Sequence, residues 1–570
     1  MKRRRAMGMV AGASILSLLP RTMAEAATGA KHSVDWGPLQ QQLGSRLLKL
    51  RSPLAACAEA GGADAYTLFA QCKNPYFLGD DPALTQTLGW TDAWTTRASD
   101  YAVVAETAAD VAAAVNFARR NRVRLVVKGG GHSYFGNSNA ANSLLIWTRR
   151  MQAVTLHDDF SGNGPAVSIG AGAIWGRVYD AVSVRAGRYV QGGGCMTVGV
   201  AGFIQGGGFG SCSKQFGTGA ASLLEAEVVT ADGKVRVANA SHEPELFYAL
   251  KGGGGGTFGV VTRLTLRTHP LPETIGAVMF EVQAQSEDSW RKLVARMIAF
   301  YGEALFNPAW GEQVRFTPSR VLSVSMVFQG LTQEQARATW QPFFTWLSQQ
   351  PQDFKLIAEP TVVALPARKF WDASFLKQLP GIVVQDDRPD APASNVFWAG
   401  NLGEAGQVLN SYQSAWIPAG LLAPSRQASL VDALAAGSAE WPMALHTNKG
   451  LAGGSTQALS LSRATATNPA VLDAFALLIC AAEGPPAWPG IPGHEPDIAR
   501  GRREAAGVTR AMAPIRRLVP NAGAYVSEAY YFDDDWQHRY WGANYERLLR
   551  IKRRYDPTGL FHGRHTVGSA

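Results

Sequence analysis

Apolar positions in ETAADVAAAVNFARRNRVRLVVKGGG, residues 106–131, change their period once. Val111, Ala114, Val115 and Ala118 recur at helical spacing, so the first half reads as an amphipathic helix with Asp110 at its cap. VRLVV is an unbroken apolar run and reads as a buried strand, stopped by Gly129, Gly130 and Gly131. Residues 165–194 give strand, helix and strand again, and end in a second glycine run. LLEAEVVTADGKVRVAN, 223–239, is a hairpin turning at Asp232-Gly233. Residues 245–270 give a short helix, a third glycine run and a long strand. Residues 96–271 therefore read as an α+β unit with three glycine-rich loops.

Past 272 the pattern changes. SWRKLVARMIAFYGEAL (289–305) and TQEQARATWQPFFTWLSQQ (332–350) are amphipathic helices, and VLSVSMVFQG (321–330) is strand-like. Up to residue 510 the chain predicts a separate sheet backed by helices. GPPAWPGIPGHEP, 484–496, is a loop. Residues 27–95 read as a helical lead-in. Residues 511–570 hold an aromatic stretch, a helix and a turn.

The first two glycine runs each end at a nucleophile, His132 and Cys195. Three runs of small residues can turn several backbone N–H groups toward one polyanion, and a pyrophosphate is the obvious guest. A lone histidine in such a loop also serves simply to hydrogen-bond a ligand, and a lone cysteine as a small buried hydrophobe. The pair changes the reading. An isoalloxazine ring accepts nucleophiles at its 8α-methyl group and at C6, and a neutral imidazole and a thiolate suit those positions. Gly254–Gly259 matches GxGxxG, but a strand-like segment follows it, which argues against a nicotinamide Rossmann site. No P-loop is present. His562 and His565 have no ligand cluster around them in sequence, so no metal is expected.

MKRRR followed by a short apolar stretch and Ala24-Glu25-Ala26 reads as a signal peptide, 1–26, cleaved near Ala26. The consecutive arginines suit the twin-arginine translocase, which exports folded, cofactor-loaded proteins; an ordinary secretory signal is the alternative. The mature protein would be periplasmic or secreted, with no membrane segment. The chain of 570 residues has net charge +9, which falls to +5 once Lys2, Arg3, Arg4, Arg5, Arg21 and Glu25 leave. That balance, without a basic run, gives no reason to expect nucleic acid. Export permits disulfides, and Cys57 with Cys72 is the pair nearest in sequence.

KGGGHSYFGNS, GGGCMTVGVAGFIQGGGFG, LKGGGGGTFGVVTRLTL and YWGANYERLLRIKRRYDPTGLF together resemble the berberine bridge enzyme-like FAD-linked oxidases of the vanillyl-alcohol oxidase superfamily. The resemblance is strong over 96–271 and 520–566. It implies an α+β fold: a PCMH-type FAD-binding domain of two subdomains, 96–271, and a substrate domain with an antiparallel sheet backed by helices, 272–510. It also implies a C-terminal segment, 511–570, that returns to the flavin. FAD would be bicovalent, through His132 at 8α and Cys195 at C6. Gly129, Gly130, Gly131, Ser133, Asn137 and Ser138 would line the pyrophosphate. Gly194, Thr197, Val198, Gly199 and Gly202 would follow the ring and phosphates, Val261 would meet adenine, and Asn544 would touch the flavin.

The implied reaction takes hydride from a hydroxylated small molecule and returns electrons to O2, giving H2O2. A dehydrogenase using another acceptor, or a flavoprotein that binds without turnover, are the alternatives. Relatives often place a tyrosine base at the end of Y-x-N-Y. Here the stretch is Tyr525, Val526, Ser527 and Glu528, and Phe209 stands where another tyrosine is common. Glu528 is the candidate base, with Tyr525, Tyr530 and Tyr531 as alternatives.

Overall fold

The computed structural model describes residues 34–569; the expected signal peptide lies outside them. The first unit contains two sheets. Tyr101–Val104, Ser143–Trp147 and Arg124–Lys128 run parallel, with Leu47–Lys49 antiparallel at one edge. The predicted helix is Ala108–Asn121, and its apolar face, including Val111, Ala114 and Ala118, packs on that sheet. Its N-cap is Thr107 rather than Asp110. Asp110 lies three residues on, where its carboxylate takes the Thr107 N–H and completes a reciprocal capping box.

The second sheet centres on Val260–Pro270, flanked by Leu223–Val229 and Ala166–Gly170. The Asp232-Gly233 hairpin is present, with Gly233 at φ 77°. The strand after Gly254–Gly259 is present too, so this GxGxxG opens no helix.

The third sheet has nine strands. Its order is Phe354–Pro366, Thr274–Ala284, Val321–Gln329, Trp310–Phe316, Met443–His446, Ala474–Gly484, Val408–Pro418, Gly89–Trp90 and Trp94–Thr95. Every pairing is antiparallel except that of Val408–Pro418 with Gly89–Trp90. Glu287–Phe300, Gln333–Ser348, Pro424–Glu440 and Ile498–Leu518 cover one face and close the largest core around Phe280, Trp310 and Trp340. The other face is left for the cavity. The residue 27–95 segment has the expected helices but also supplies strands to the first and third sheets. Ile498–Leu518 runs unbroken across residue 510.

Cys57 and Cys72 are both free thiols. The local fold explains why: Cys57 Sγ turns to the Ala63 carbonyl at 3.1 Å, while Cys72 is fully buried at a helix end.

Candidate active site

A cavity of about 990 Å³ runs between the glycine loops and the open face of the nine-stranded sheet. The first loop follows directly from Arg124–Lys128, so its position is set by a parallel strand. Lys128 anchors the turn from below, donating to the carbonyls of Pro82 and Leu84 at 2.7 Å each. Gly130 meets the second loop back to back: a Cβ there would lie 2.6 Å from Gly199 N. Only glycine permits that approach, and Gly131 adds φ 77°. The N–H groups of Gly130, Gly131, His132 and Ser133 donate to no atom among the described residues. Four successive free N–H groups beside a cavity form an anion site.

Gly129, Gly130, Gly131, His132, Ser133, Asn137 and Ser138 all line this cavity, as do Gly194, Cys195, Val198, Gly199, Gly202 and Val261. Gly194 and Gly202 have nothing within 4 Å of where a Cβ would stand, so both open onto the cavity. Thr197 does not line it. Instead its hydroxyl bridges the two nucleophiles, with Oγ1 at 3.4 Å from both His132 Nε2 and Cys195 Sγ. Burial lowers the His132 imidazole to about 4, so it is neutral at pH 7. Burial raises the Cys195 thiol to about 11, with the charge of Glu404 adding to the effect. The chain alone therefore holds Cys195 as a thiol rather than a thiolate, because among the described residues no cation offsets its burial.

Gly254, Gly255 and Gly256 of the third loop also line the cavity, so all three glycine runs meet at one site, as expected. The run of five glycines was the available signal. The C-terminal segment returns here through His562, Gly563, Arg564, His565 and Thr566. Asn137 pins it, accepting from Arg564 N at 2.9 Å and donating to Arg564 O at 3.0 Å.

Besides Thr197, three expected residues fall elsewhere, and Tyr530 is one of them, absent from the cavity wall. Asn544 is absent from the cavity wall; its amide donates to Thr467 O at 2.8 Å and braces a neighbouring turn. Tyr531 also lies off the cavity, packed with Trp90, Phe135 and the Arg564 guanidinium.

Glu528 does reach the cavity. Residues 525–528 form a turn closed by the Glu528 N–H on Tyr525 O, and Ser414 ties it to the sheet through Glu528 O at 2.5 Å. The Glu528 carboxylate forms an ion pair with Lys449, and both side chains are mostly buried. Tyr525 lines the same space, but its hydroxyl accepts from Gly208 N at 3.3 Å, and its ring packs edge-on to Phe209. Burial, with Glu528 adding, pushes the Tyr525 phenol up, so it stays protonated.

Sequence reasoning missed the rest of this polar cluster. Tyr134 and Tyr412, with ring centroids 5.1 Å apart, are likewise pushed up, chiefly by burial. Burial holds the Glu404 carboxyl up at about 7, with Glu528 a further contributor. Glu312 has φ 69°, a strained value for a side-chain-bearing residue, and its carboxylate accepts from Ser211 Oγ at 2.5 Å and Asn448 at 3.2 Å. Tyr134 sits inside the first glycine motif and was legible as a neighbour. Lys449, Glu404, Glu312 and Tyr412 come from segments with no motif.

The family described as FAD binding domain matches residues 99–239, and the family described as berberine and berberine like matches residues 510–568. The FAD-linked oxidoreductase easE of Arthroderma otae is 32% identical over 484 residues, covering 82% of this chain and 72% of that protein. The chain belongs to the berberine bridge enzyme-like FAD-linked oxidoreductases. A VAO-type flavoprotein of Myceliophthora thermophila shares the fold with TM-score 0.76 at 25% identity, over 97% of both chains. Glucooligosaccharide oxidase of Acremonium strictum matches with TM-score 0.63 at 20% identity, over 82% of this chain and 92% of that one. That protein is described with a 6-S-cysteinyl, 8α-N1-histidyl FAD. The family's α+β architecture, with its PCMH-type FAD-binding unit, is the one found here. FAD is the family's cofactor, and the cavity fits it: the free N–H groups suit a pyrophosphate, and the two open glycines leave room for a planar ring.

Proposed function

We propose that the protein is an exported oxidase acting on a hydroxylated small molecule, with electrons passed to O2 to give H2O2. The observation that carries this reading is the Glu528–Lys449 ion pair, which faces the same cavity as His132 and Cys195. FAD, when bound, supplies the hydride acceptor and the route to oxygen. The protein's own residues do the rest. His132 and Cys195 would hold the cofactor at two points, as the glucooligosaccharide oxidase does with its 6-S-cysteinyl, 8α-histidyl FAD. Thr197 holds the His132 ring in place through the contact of its hydroxyl with Nε2.

Glu528 accepts the substrate's hydroxyl proton at its carboxylate. Lys449 orients that carboxylate. Tyr134 and Tyr412 stay protonated and donate hydrogen bonds to the substrate oxygen. Tyr525 is positioned by Gly208 and shapes the floor, which leaves Glu528 as the base. The arginine-rich start supports export by the twin-arginine route after the cofactor is in place.

The test is peroxide release from the holoenzyme over alcohols, phenols and sugars, beside Glu528→Gln. General-base loss lowers kcat by about 10²–10⁴ while covalent flavin stays intact. Flavin bleaching without peroxide would make the protein a dehydrogenase. No bleaching by any compound would make it a binding protein.

A further inference from the structure

The strand Thr274–Ala284 lies between Val321–Gln329 and Phe354–Pro366. Residues directly opposite across a pair share a face. Ala277 stands opposite Val327 on one side and Val363 on the other, and Ile275 opposite Leu365. The alternate positions, such as Val278, Phe280 and Met326, enter the helix-backed core. Ile275, Ala277, Val327, Val363 and Leu365 instead line the cavity, with Met279.

An arm, residues 367–405, crosses over this face. Trp398 Nε1 donates to Gly194 O at 2.8 Å, and Trp371 stacks on Tyr179 at 4.5 Å, so the arm rests on the second glycine loop. Asp386 and Arg388 tie it to Asn74 and Asp80. Its cavity side adds Phe370, Leu379 and Ile382. Met279, Val363 and Ile382 keep 40%, 38% and 39% of their surface exposed, an apolar area with no cover of its own.

The sheet face changes character strand by strand. Ser325 lies opposite Gln313, and Gln313 opposite His446, and all three line the cavity. Beyond them stand Lys449 and Glu528. Polar groups thus gather at one end, and the wall toward Phe354–Pro366 is hydrocarbon.

We infer that the substrate is an elongated, largely hydrocarbon molecule carrying one oxygen function at one end. Its apolar body lies between the sheet wall and the arm, and its oxygen reaches Glu528. This rests on the oxidase reading above. Apolar burial is non-directional and scales with area, so each added methylene along the wall strengthens binding. An oligosaccharide would bring hydroxyls to Ala277, Val327 and Val363 and lose their hydrogen bonds to water without replacement.

The holoenzyme is titrated with linear alcohols of increasing length and, in parallel, with mono- and oligosaccharides. Flavin absorbance shift reads binding, and flavin bleaching reads turnover. Kd is expected to fall about fourfold per methylene. Met279→Glu and Val363→Glu, at half-open positions, raise the Kd of the longest alcohol by about tenfold, since a charge then faces the hydrocarbon. A Kd independent of chain length overturns the inference. So does bleaching with peroxide release by sugars alone, which would leave the oxidase reading intact. Length-dependent binding with no bleaching supports the apolar wall and sinks the oxidase reading instead.

Discussion

On one side of the cavity the chain presents backbone; on the other it presents side chains. The first glycine loop turns free N–H groups to the cavity, and the second and third bring bare Cα positions to it at Gly194 and Gly256. The nine-stranded sheet, its arm and the 525–528 turn present Glu528, Lys449, Glu404, Tyr412 and an apolar wall. Backbone recognition needs particular residues at particular positions, because one Cβ is enough to close the space. Side-chain recognition needs only that suitable groups converge, from whatever segment. The first side therefore leaves motifs in the sequence, and of the second only Glu528 was legible, through its place in the tail stretch 525–528.

The largest expected effect breaks the backbone side at its two nucleophiles. In His132→Ala/Cys195→Ala the yellow colour is expected to wash free of acid-precipitated protein completely, while each single variant keeps colour through the other bond. Colour retained by the double variant would place the attachment elsewhere.

Gly130→Val comes next. Its Cβ would meet Gly199 N at 2.6 Å, backbone that cannot turn aside. Overpacking of this kind costs about 1–3 kcal/mol, to be read as a lower Tm with loss of flavin binding. Gly202→Ala, with nothing within 4 Å, is expected to keep the fold and only narrow the cavity.

The nucleophiles themselves separate by pH. Burial holds the Cys195 thiol up at about 11. Below that value the thiolate fraction grows about tenfold per pH unit. In apo His132→Ala reconstituted with FAD, the rate of attachment is expected to climb with that slope from pH 7 to 9. Apo Cys195→Ala, relying on a histidine already neutral above about 4, is expected to show no such climb.

The smallest effect tests the side-chain wall. Glu404 is held protonated up to about 7 by burial. The folded protein keeps this proton where the unfolded chain has released it. Stability therefore falls as pH rises from the ordinary carboxylate range to about 7, and the penalty persists above. Glu404→Gln removes that penalty: Tm is expected to rise by about 2 °C at pH 8 and to be unchanged at pH 4. Above pH 7 the ionised Glu404 also adds a negative charge near the Glu528–Lys449 pair. The variant is thus expected to hold its kcat/KM to higher pH than the parent.

The expectations that matched the structure were local. The strand ending at the first glycine run, the Asp232-Gly233 hairpin and the strand after Gly259 each follow from neighbours within a dozen residues. Those that failed depended on the exact path of the chain or on distant partners. Asp110 was a cap candidate by type, but which residue caps depends on where the chain turns, and Thr107 took the role. Cys57 and Cys72 were close in sequence, yet local hydrogen bonding and burial set them apart. Asn544 and Tyr531 lie in a diagnostic segment, but packing against Thr467 and the Trp90–Phe135 cluster directs them off the cavity.

By itself the sequence determined the backbone cradle, because a glycine that admits a close approach or a positive φ is visible as a residue type. It determined His132 and Cys195 for the same reason, since each ends a glycine run. Only the tertiary structure decided what faces them. Lys449 reaches Glu528 from 79 residues away, and Val363 joins Ala277 across a strand pair. Such meetings are set by sheet register and helix packing, which depend on the whole core. No local pattern records them.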